Sequence, residues 1–434
     1  MNKFKRVFNK LWRLKSSLGR RWAEYRSTGR ISTFFVSQYQ YNLRLKERQV
    51  GKMRRNLHYY LYSITEQNKY KKFVFMFSGT IYIQEKRANR PIRLTRVFIG
   101  KNIPVFFSYF RWDLSETIAE NYDSRLFQSP IDITFELMRE IIRFDFGKMD
   151  KIFILSFPHP YAARFINEFN AWGWKTLYDV RDDWEEFHKV GMAKWYDKPA
   201  EIYAVTNCDV VTTVSQPLQQ KMQAFTRNKT VQLCPNAYDI KFMDPTEVAN
   251  RKAERHKIII GYFGHLTDRW FDWEFLRKVA DAKPEWQFQL IGHPEPTEEQ
   301  LRPNIIYKGF LGHDEICHIA RSWCCGIIPF KMSKLADGID PIKIYEYLAL
   351  GLPTVSLVMP QIRDYPYVTL ADSVGKFIEG IEKSSVIETD PEYIRKWLAE
   401  NTWEKRVKQM LDLLASNQTG SAVLKKLALS GGEI

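Results

Sequence analysis

Residues 337–356 read DGIDPIKIYEYLALGLPTVS, and this stretch decides the fold. Asp340 suits a helix N-cap, Pro341 the first helical position and Gly351 the position just past a helix end. Residues 354–358 then have the apolar, β-branched character of a buried strand. One residue breaks the pattern. Lys343 falls in the first turn, where a helix already carries partial positive charge and a second cation is disfavoured. Glu346, three residues on, shares its face, and such a pair on a solvated surface contributes only about 0.2–0.5 kcal/mol. A positive charge is in place there if an anion is meant to sit at the helix start. Free backbone N–H groups, the dipole and an ammonium together suit a diphosphate, and a carboxylate one turn deeper suits two neighbouring hydroxyls such as those of a ribose.

Outward from this stretch, strands and helices alternate. In the second half of the chain KIIIGYFGHL (257–266), WQFQLIG (286–292), NIIYKGF (304–310) and CCGIIPF (324–330) read as strands, with WEFLRKVADA (273–282) and HDEICHIARSW (313–323) as helices. In the first half KKFVFMFSG (71–79), IPVFFSYF (103–110), MDKIFILSFP (149–158), WKTLYDV (174–180), CDVVTTVS (208–215) and TVQLCPN (230–236) read as strands, and NRPIRLTRVFIGKN (89–102) as a helix. Residues 110–150 show no clear pattern. The alternation predicts an α/β protein with parallel sheets, in two Rossmann-like halves facing across a cleft. The polar segment 242–257 reads as the linker between them. Residues 390–417 read as one long helical run containing Trp403, and the last five residues as a frayed tail.

Charge is unevenly placed. Residues 1–70 carry 17 Lys and Arg against 3 Asp and Glu, whereas the rest carries 48 against 47. A neutral body argues against a basic channel for nucleic acid and for an N-terminal arm with a partner of its own, with nucleic acid a minor alternative for that arm. In residues 1–30, Phe4, Phe8, Leu11, Leu14, Leu18 and Trp22 recur at helical spacing among basic residues. That face suits an anionic membrane surface, and equally packing on its own protein or a second copy. A second helix carries Leu43, Val50, Met53, Leu57, Tyr60 and Ile64 as a stripe of core or oligomer-seam character. Five cysteines without a C-x-x-C pair suit a reducing cytoplasm. No apolar run reaches the roughly 18 residues of a membrane span, and no signal peptide is read.

In α/β proteins ligands bind beyond the carboxyl ends of the strands, so the loops there supply the candidate residues. GYFGHLTDRW (261–270) offers Gly264 for close approach and Arg269 for a phosphate. YDVRDDWEEF (178–187) offers Asp179, Asp182 and Asp183, to bind hydroxyls, act as a base or cap the next helix. His159 lies on a first-half loop where it could touch an acceptor. The eight histidines show no H-x-x-x-H or H-x-H spacing, so no metal site is expected. The motifs G-x-S-x-G, G-x-x-x-x-G-K-[ST] and G-x-G-x-x-G are absent.

DPIKIYEYLALGLPTVS (340–356) resembles the donor-binding signature of the GT-B glycosyltransferases, in the large retaining group often called family 4. GYFGHLTDRWFDWEFL (261–276), the stretch 208–243 and LYDVRDDWEEF (177–187) resemble further segments of that family, the last as found in bacterial members that build surface polysaccharides. The likeness covers about residues 72–415. It implies an acceptor domain at 71–245, a nucleotide-sugar domain at 256–390, a helix 391–417 crossing back to the first domain, and residues 1–70 as a basic extension for a membrane or dimer contact. By position, Lys343 would hold the diphosphate with help from Arg269, and Glu346 the ribose. Asp337, Gly338, Ile339 and Asp340 would lie by the donor sugar, Gly309 and Phe310 near the base, and Gly264 along the donor. Asp182 or Asp183 would serve catalysis, with His159 and Asp179 on the acceptor side. Gly338 stands where the family's first acid of a pair usually stands. The resemblance implies metal-independent transfer, with retention, from a nucleotide sugar to a growing surface glycan or a lipid-linked glycan, by a cytoplasmic protein at the inner membrane face. A sugar-nucleotide epimerase of the same fold, or a silent binding subunit, remains the alternative.

Overall fold

The computed structural model describes the backbone of residues 31–66, 68–84, 89–240 and 258–430. The expected basic helix 1–30, the linker 242–257 and the last four residues of the tail lie outside the described residues.

The first half holds β1 (Lys72–Phe77), β2 (Val105–Tyr109), β3 (Leu126–Pro130), β4 (Asp150–Leu155), β5 (Lys175–Val180), β6 (Val210–Thr213) and β7 (Gln232–Leu233). They pair in the order β3-β2-β1-β4-β5-β6-β7, every pair parallel. The second half holds β8 (Ile259–His265), β9 (Gln287–His293), β10 (Ile305–Tyr307), β11 (Cys325–Ile328), β12 (Thr354–Leu357) and β13 (Val368–Ala371), in the order β10-β9-β8-β11-β12-β13, again parallel. The strand order reverses beside β1 and beside β8, and at such switch points loops diverge and leave a crevice. The strands are apolar runs rather than alternating patterns because helices cover both faces of a parallel sheet; five of the six residues of β1 are buried.

The helices that matter below are α1 (Ile31–Glu66), α2 (Arg90–Gly100), α3 (Ile131–Arg143), α4 (Trp184–Lys189), α5 (Trp273–Ala282), α6 (Ile342–Ala349), α7 (Val374–Val386), α8 (Pro391–Glu400) and α9 (Trp403–Ser430). The α1 stripe Val50, Met53, Leu57, Tyr60 and Ile64 is core of the first half, while Leu43 is exposed. The Tyr60 hydroxyl donates to the carbonyls of Val105 (3.2 Å) and Arg125 (2.9 Å), which fixes α1 on the sheet. No helix among the described residues is long and apolar enough to cross a membrane.

Two segments differ from expectation. The unread stretch 110–150 contains β3 and α3. Its strand is hard to see because LFQSP buries a glutamine and a serine; Gln128 is satisfied by accepting from the Ile83 N–H (2.8 Å) and donating to the Glu120 carbonyl (3.0 Å). The run 390–417 is two helices, not one. Asn401 leaves helical geometry at φ −120°, and the Thr402 hydroxyl caps the next helix by accepting from the Lys405 N–H at 3.3 Å. That break lets α9 turn back onto the first half, where Trp403, Val407, Met410 and Leu414 are buried with Val74, Ile92 and Phe98.

A buried ion pair pins the first half internally. Arg90 donates from Nε to Asp179 Oδ2 (2.8 Å) and from Nη2 to Oδ1 (2.9 Å), and Thr212 adds a hydroxyl donor at 2.9 Å. Both charged side chains are almost wholly buried. Removing one partner leaves the other uncompensated, so Asp179→Ala should lower stability in urea unfolding by about 3–5 kcal/mol. A loss below about 1 kcal/mol would show the pair to be incidental.

Candidate functional site

The start of α6 is open. Its N-cap is Pro341, with no side-chain hydrogen bond to the first-turn N–H groups. The expected cap, Asp340, is turned elsewhere. It is buried, with Oδ2 accepting from the Asn236 N–H (2.6 Å) and the Tyr345 hydroxyl (3.1 Å) and Oδ1 from the Tyr365 hydroxyl (3.0 Å). Burial raises its pKa to about 6 against these donors. Asp340 therefore ties the second half to the end of the first instead of capping, and leaves the amides of the helix start to another acceptor.

Lys343 sits at that opening. Its ammonium lies 5.3 Å from the centre of the Tyr262 ring and 5.4 Å from that of Phe330. No carboxylate forms an ion pair with it among the described residues. Burial pushes its pKa down to about 8, only partly opposed by the Glu346 charge. Close approach requires glycines behind it. Gly264, next to last in β8, has φ +138°, a conformation that side chains resist, and a Cβ there would come within 2.7 Å of Lys343 Nζ. Its neighbour across the ladder, Gly292, has φ +147° and leaves no room for a Cβ against the Gly264 carbonyl.

Glu346, one turn deeper, is buried, and burial raises its pKa. Its Oε1 accepts from Arg93 Nη2 at 3.2 Å, a residue of α2 in the other half. Of the remaining donor-side candidates, Arg269 is exposed with no ion pair among the described residues. Gly309 has φ +88° in open space, and the exposed Phe310 ring lies 5.3 Å from that of His293 at the end of β9. Asp337 ends a short helical turn, half-buried, with its pKa raised by burial. Ile339 is half-buried and packs on the second-half core. Gly338 is pressed against the first half: its carbonyl accepts from the Ser215 hydroxyl at 2.9 Å, and a Cβ would meet the Asp183 Cβ at 3.3 Å. A side chain here would crowd Asp183.

The first-half carboxylates separate by role. Asp183 caps α4, accepting from the Glu186 N–H at 3.0 Å, and pairs with Lys221 at 2.7 Å. Asp179 is the structural partner of Arg90 rather than a group open to an acceptor. Asp182 caps no helix among the described residues. Burial raises its pKa to about 6, with the Arg181 guanidinium 3.8 Å away opposing the rise. His159 Nδ1 accepts from the Tyr161 N–H at 3.2 Å and its ring lies among Phe77, Phe135, Phe157 and Trp195. Burial lowers its pKa to about 4, so it is neutral at pH 7. Among the described residues, no group of three or more His, Cys, Asp and Glu is placed to hold a metal ion.

Arg93, which reaches Glu346 from the other half, is a residue that sequence reasoning passed over. The signal was Arg90, Arg93 and Arg96 recurring at three-residue steps along an otherwise apolar helix. Two of these three side chains are buried, and a buried arginine must have partners.

No protein-family model matches the chain. TuaH of Bacillus subtilis, by its name a glycosyltransferase of teichuronic acid biosynthesis, is 26% identical over 185 residues, covering 39% of this chain and 46% of that protein. The match thus spans less than half of the relative. Sucrose-phosphate synthase of Thermosynechococcus elongatus superposes with TM-score 0.54 and 12% identity, covering 83% of this chain and all of the other. A point mutant of TarM from S. aureus, determined with Fondaparinux, alpha-GlcNAc-glycerol and UDP, superposes with TM-score 0.50 and 9% identity over 79% of this chain and 99% of the other. Identities this low show the fold alone, the two-domain α/β arrangement called GT-B.

A lysine that titrates near 8 when folded and near 10.5 otherwise costs stability. The unfolded chain holds more protons between those values, so stability climbs with pH across that window and the full cost is present below it. Lys343→Met should raise the ligand-free stability at pH 7 by about 1–3 kcal/mol and flatten the climb between pH 8 and 10.5. Unchanged or lower stability would show that the ammonium is compensated within the protein.

Proposed function

We propose that this chain is a glycosyltransferase that moves a sugar from a nucleotide-sugar donor to a growing bacterial surface glycan, with retention at the anomeric carbon and without a metal. The single observation that carries the reading is the Lys343 ammonium, held without an ion-paired carboxylate at an uncapped helix start, with Glu346 one turn deeper. The fold and the partial likeness to TuaH support it. TarM, the neighbour determined with UDP, supports a nucleoside diphosphate as the group bound.

In the proposed reaction the bond between the anomeric carbon and the β-phosphate oxygen breaks, and a bond to the acceptor hydroxyl forms on the same face. Charge develops on the departing diphosphate. Lys343, the first-turn amides of α6 and, from its exposed loop, Arg269 would meet that charge, and preorganised donors are worth most where charge appears in the transition state. Glu346 accepts from the ribose hydroxyls. Asp182 is the carboxylate available to take the proton that the acceptor hydroxyl loses: with its pKa near 6 it is ionised at about pH 7.5 yet basic enough to act. A lipid-linked acceptor at the inner membrane face fits the basic segment 1–30, whose charge suits anionic lipid.

Thermal unfolding with UDP, GDP and dTDP in turn should show stabilisation by one of the three and so identify the donor nucleotide. Lys343→Ala should abolish that shift and lower sugar transfer from the matching donor about 10²–10³-fold. A wild-type chain stabilised by none of the three would favour the silent binding subunit, and transfer by Lys343→Ala at the normal rate would remove Lys343 from the reaction.

A further inference from the structure

We propose that Arg93, contributed by the first half, is a positioning residue of the nucleotide site: it holds one oxygen of Glu346 so that the other is presented to the ribose hydroxyls. The proposal rests on the donor-site reading above and adds to it a residue from the opposite domain.

The geometry is specific. Arg93 lies on α2 with 4% of its side chain exposed. Its Nη1 is 2.8 Å from Asp239 Oδ2, and its Nη2 donates to Glu346 Oε1 at 3.2 Å. Its guanidinium carbon is 5.9 Å from the Trp403 ring centre, at the start of the helix that crosses back. One planar fork therefore joins α2, the residue just before the segment that leads to the second half, and the nucleotide-side helix α6. Its neighbours on α2 are engaged elsewhere: Arg90 holds Asp179, and Arg96 donates to the Gln84 carbonyl at 2.9 Å. Arg suits this role because its two terminal nitrogens diverge at a fixed angle, which a lysine cannot reproduce.

The electrostatics give the contact a purpose. A ribose is recognised through its hydroxyl donors, so the carboxylate facing it must be ionised and must keep acceptor capacity. Glu346 is buried, which favours its neutral form; Arg93 is the largest influence opposing that, followed by His313 and Lys343. Asp239 acts in the other direction, and the Cys317 thiol is also close enough to feel the Glu346 charge. Oε1 is taken by Arg93, while Oε2 makes no hydrogen bond to a described residue. A carboxylate anchored at one oxygen is fixed in direction and open at the other. Because the anchor belongs to the first half, the nucleotide site is complete only while the two halves are held together at this point.

The test is a double-mutant cycle read by titration calorimetry of the intact protein with UDP, GDP and dTDP. For the diphosphate that the wild type binds, Arg93→Met should weaken affinity about tenfold, while on a Glu346→Gln background the same change should cost less than about twofold. The pH dependence carries the second readout. Without Arg93 the Glu346 carboxyl takes its proton at higher pH, so affinity should begin to fall at higher pH as the solution is acidified, and Glu346→Gln should remove that shift. Arg93→Lys keeps the charge and should recover part of the loss; it also carries the comparison if Arg93→Met fails to fold. Asp239→Asn leaves the Arg93–Glu346 contact in place and should keep affinity within about twofold. An equal loss in both backgrounds with no pH shift would mean that Arg93 only braces the fold, and would overturn the proposal. A wild type that binds none of the three diphosphates would overturn the donor-site reading and this assignment with it.

Discussion

A lysine ammonium held against two aromatic rings at the positive end of a helix is the constraint on which the rest of the structure depends. Desolvation and the helix dipole both act against it. Attraction to the faces of Tyr262 and Phe330 recovers only part, of the order of 1 kcal/mol. Among the described residues no carboxylate pairs with it, and the Glu346 charge opposes its desolvation only in part. Asp340, the nearest residue that could cap the helix, is turned to Asn236, Tyr345 and Tyr365. Glu346 is drawn to Arg93. Gly264 and Gly292 bring the ends of β8 and β9 close without side chains of their own. An anion at the helix start is the partner proposed for it.

The same residues join the two halves. Gly338 meets Ser215, Asp340 meets Asn236, and Glu346 meets Arg93, all in one short stretch of sequence around the start of α6. Farther out, Arg406 of α9 donates to the carbonyls of Pro235 (3.0 Å) and Asn236 (3.2 Å), just before the chain passes to the second half. The site and the interdomain contact are thus one piece of structure.

How much of this was legible depended on whether a residue's role was local. Buried parallel strands announce themselves as short apolar runs, so both sheets could be read from β1, β4 or β8. The strand β3 could not, because Gln128 and Ser129 are buried with partners that only the folded chain supplies. Lys343 stood out because its conflict with the helix dipole is visible in sequence. The two aspartates after β5 could not be told apart until the start of α4 at Trp184 made Asp183 the cap. The role of Asp340 was misleading for a related reason: its local setting favours a cap, and two long-range donors, Asn236 and Tyr365, together with the nearby Tyr345 hydroxyl override that preference. Arg93 acts across domains on a residue 253 positions away, and no window of sequence contains that contact.

The most direct test of the central claim is a crystal structure of the protein with a nucleoside diphosphate bound. The account predicts the distal phosphate against the first-turn amides of α6 and the Lys343 ammonium, with the ribose hydroxyls on Glu346. A diphosphate seated elsewhere, with Lys343 still resting on Tyr262 and Phe330, would contradict it.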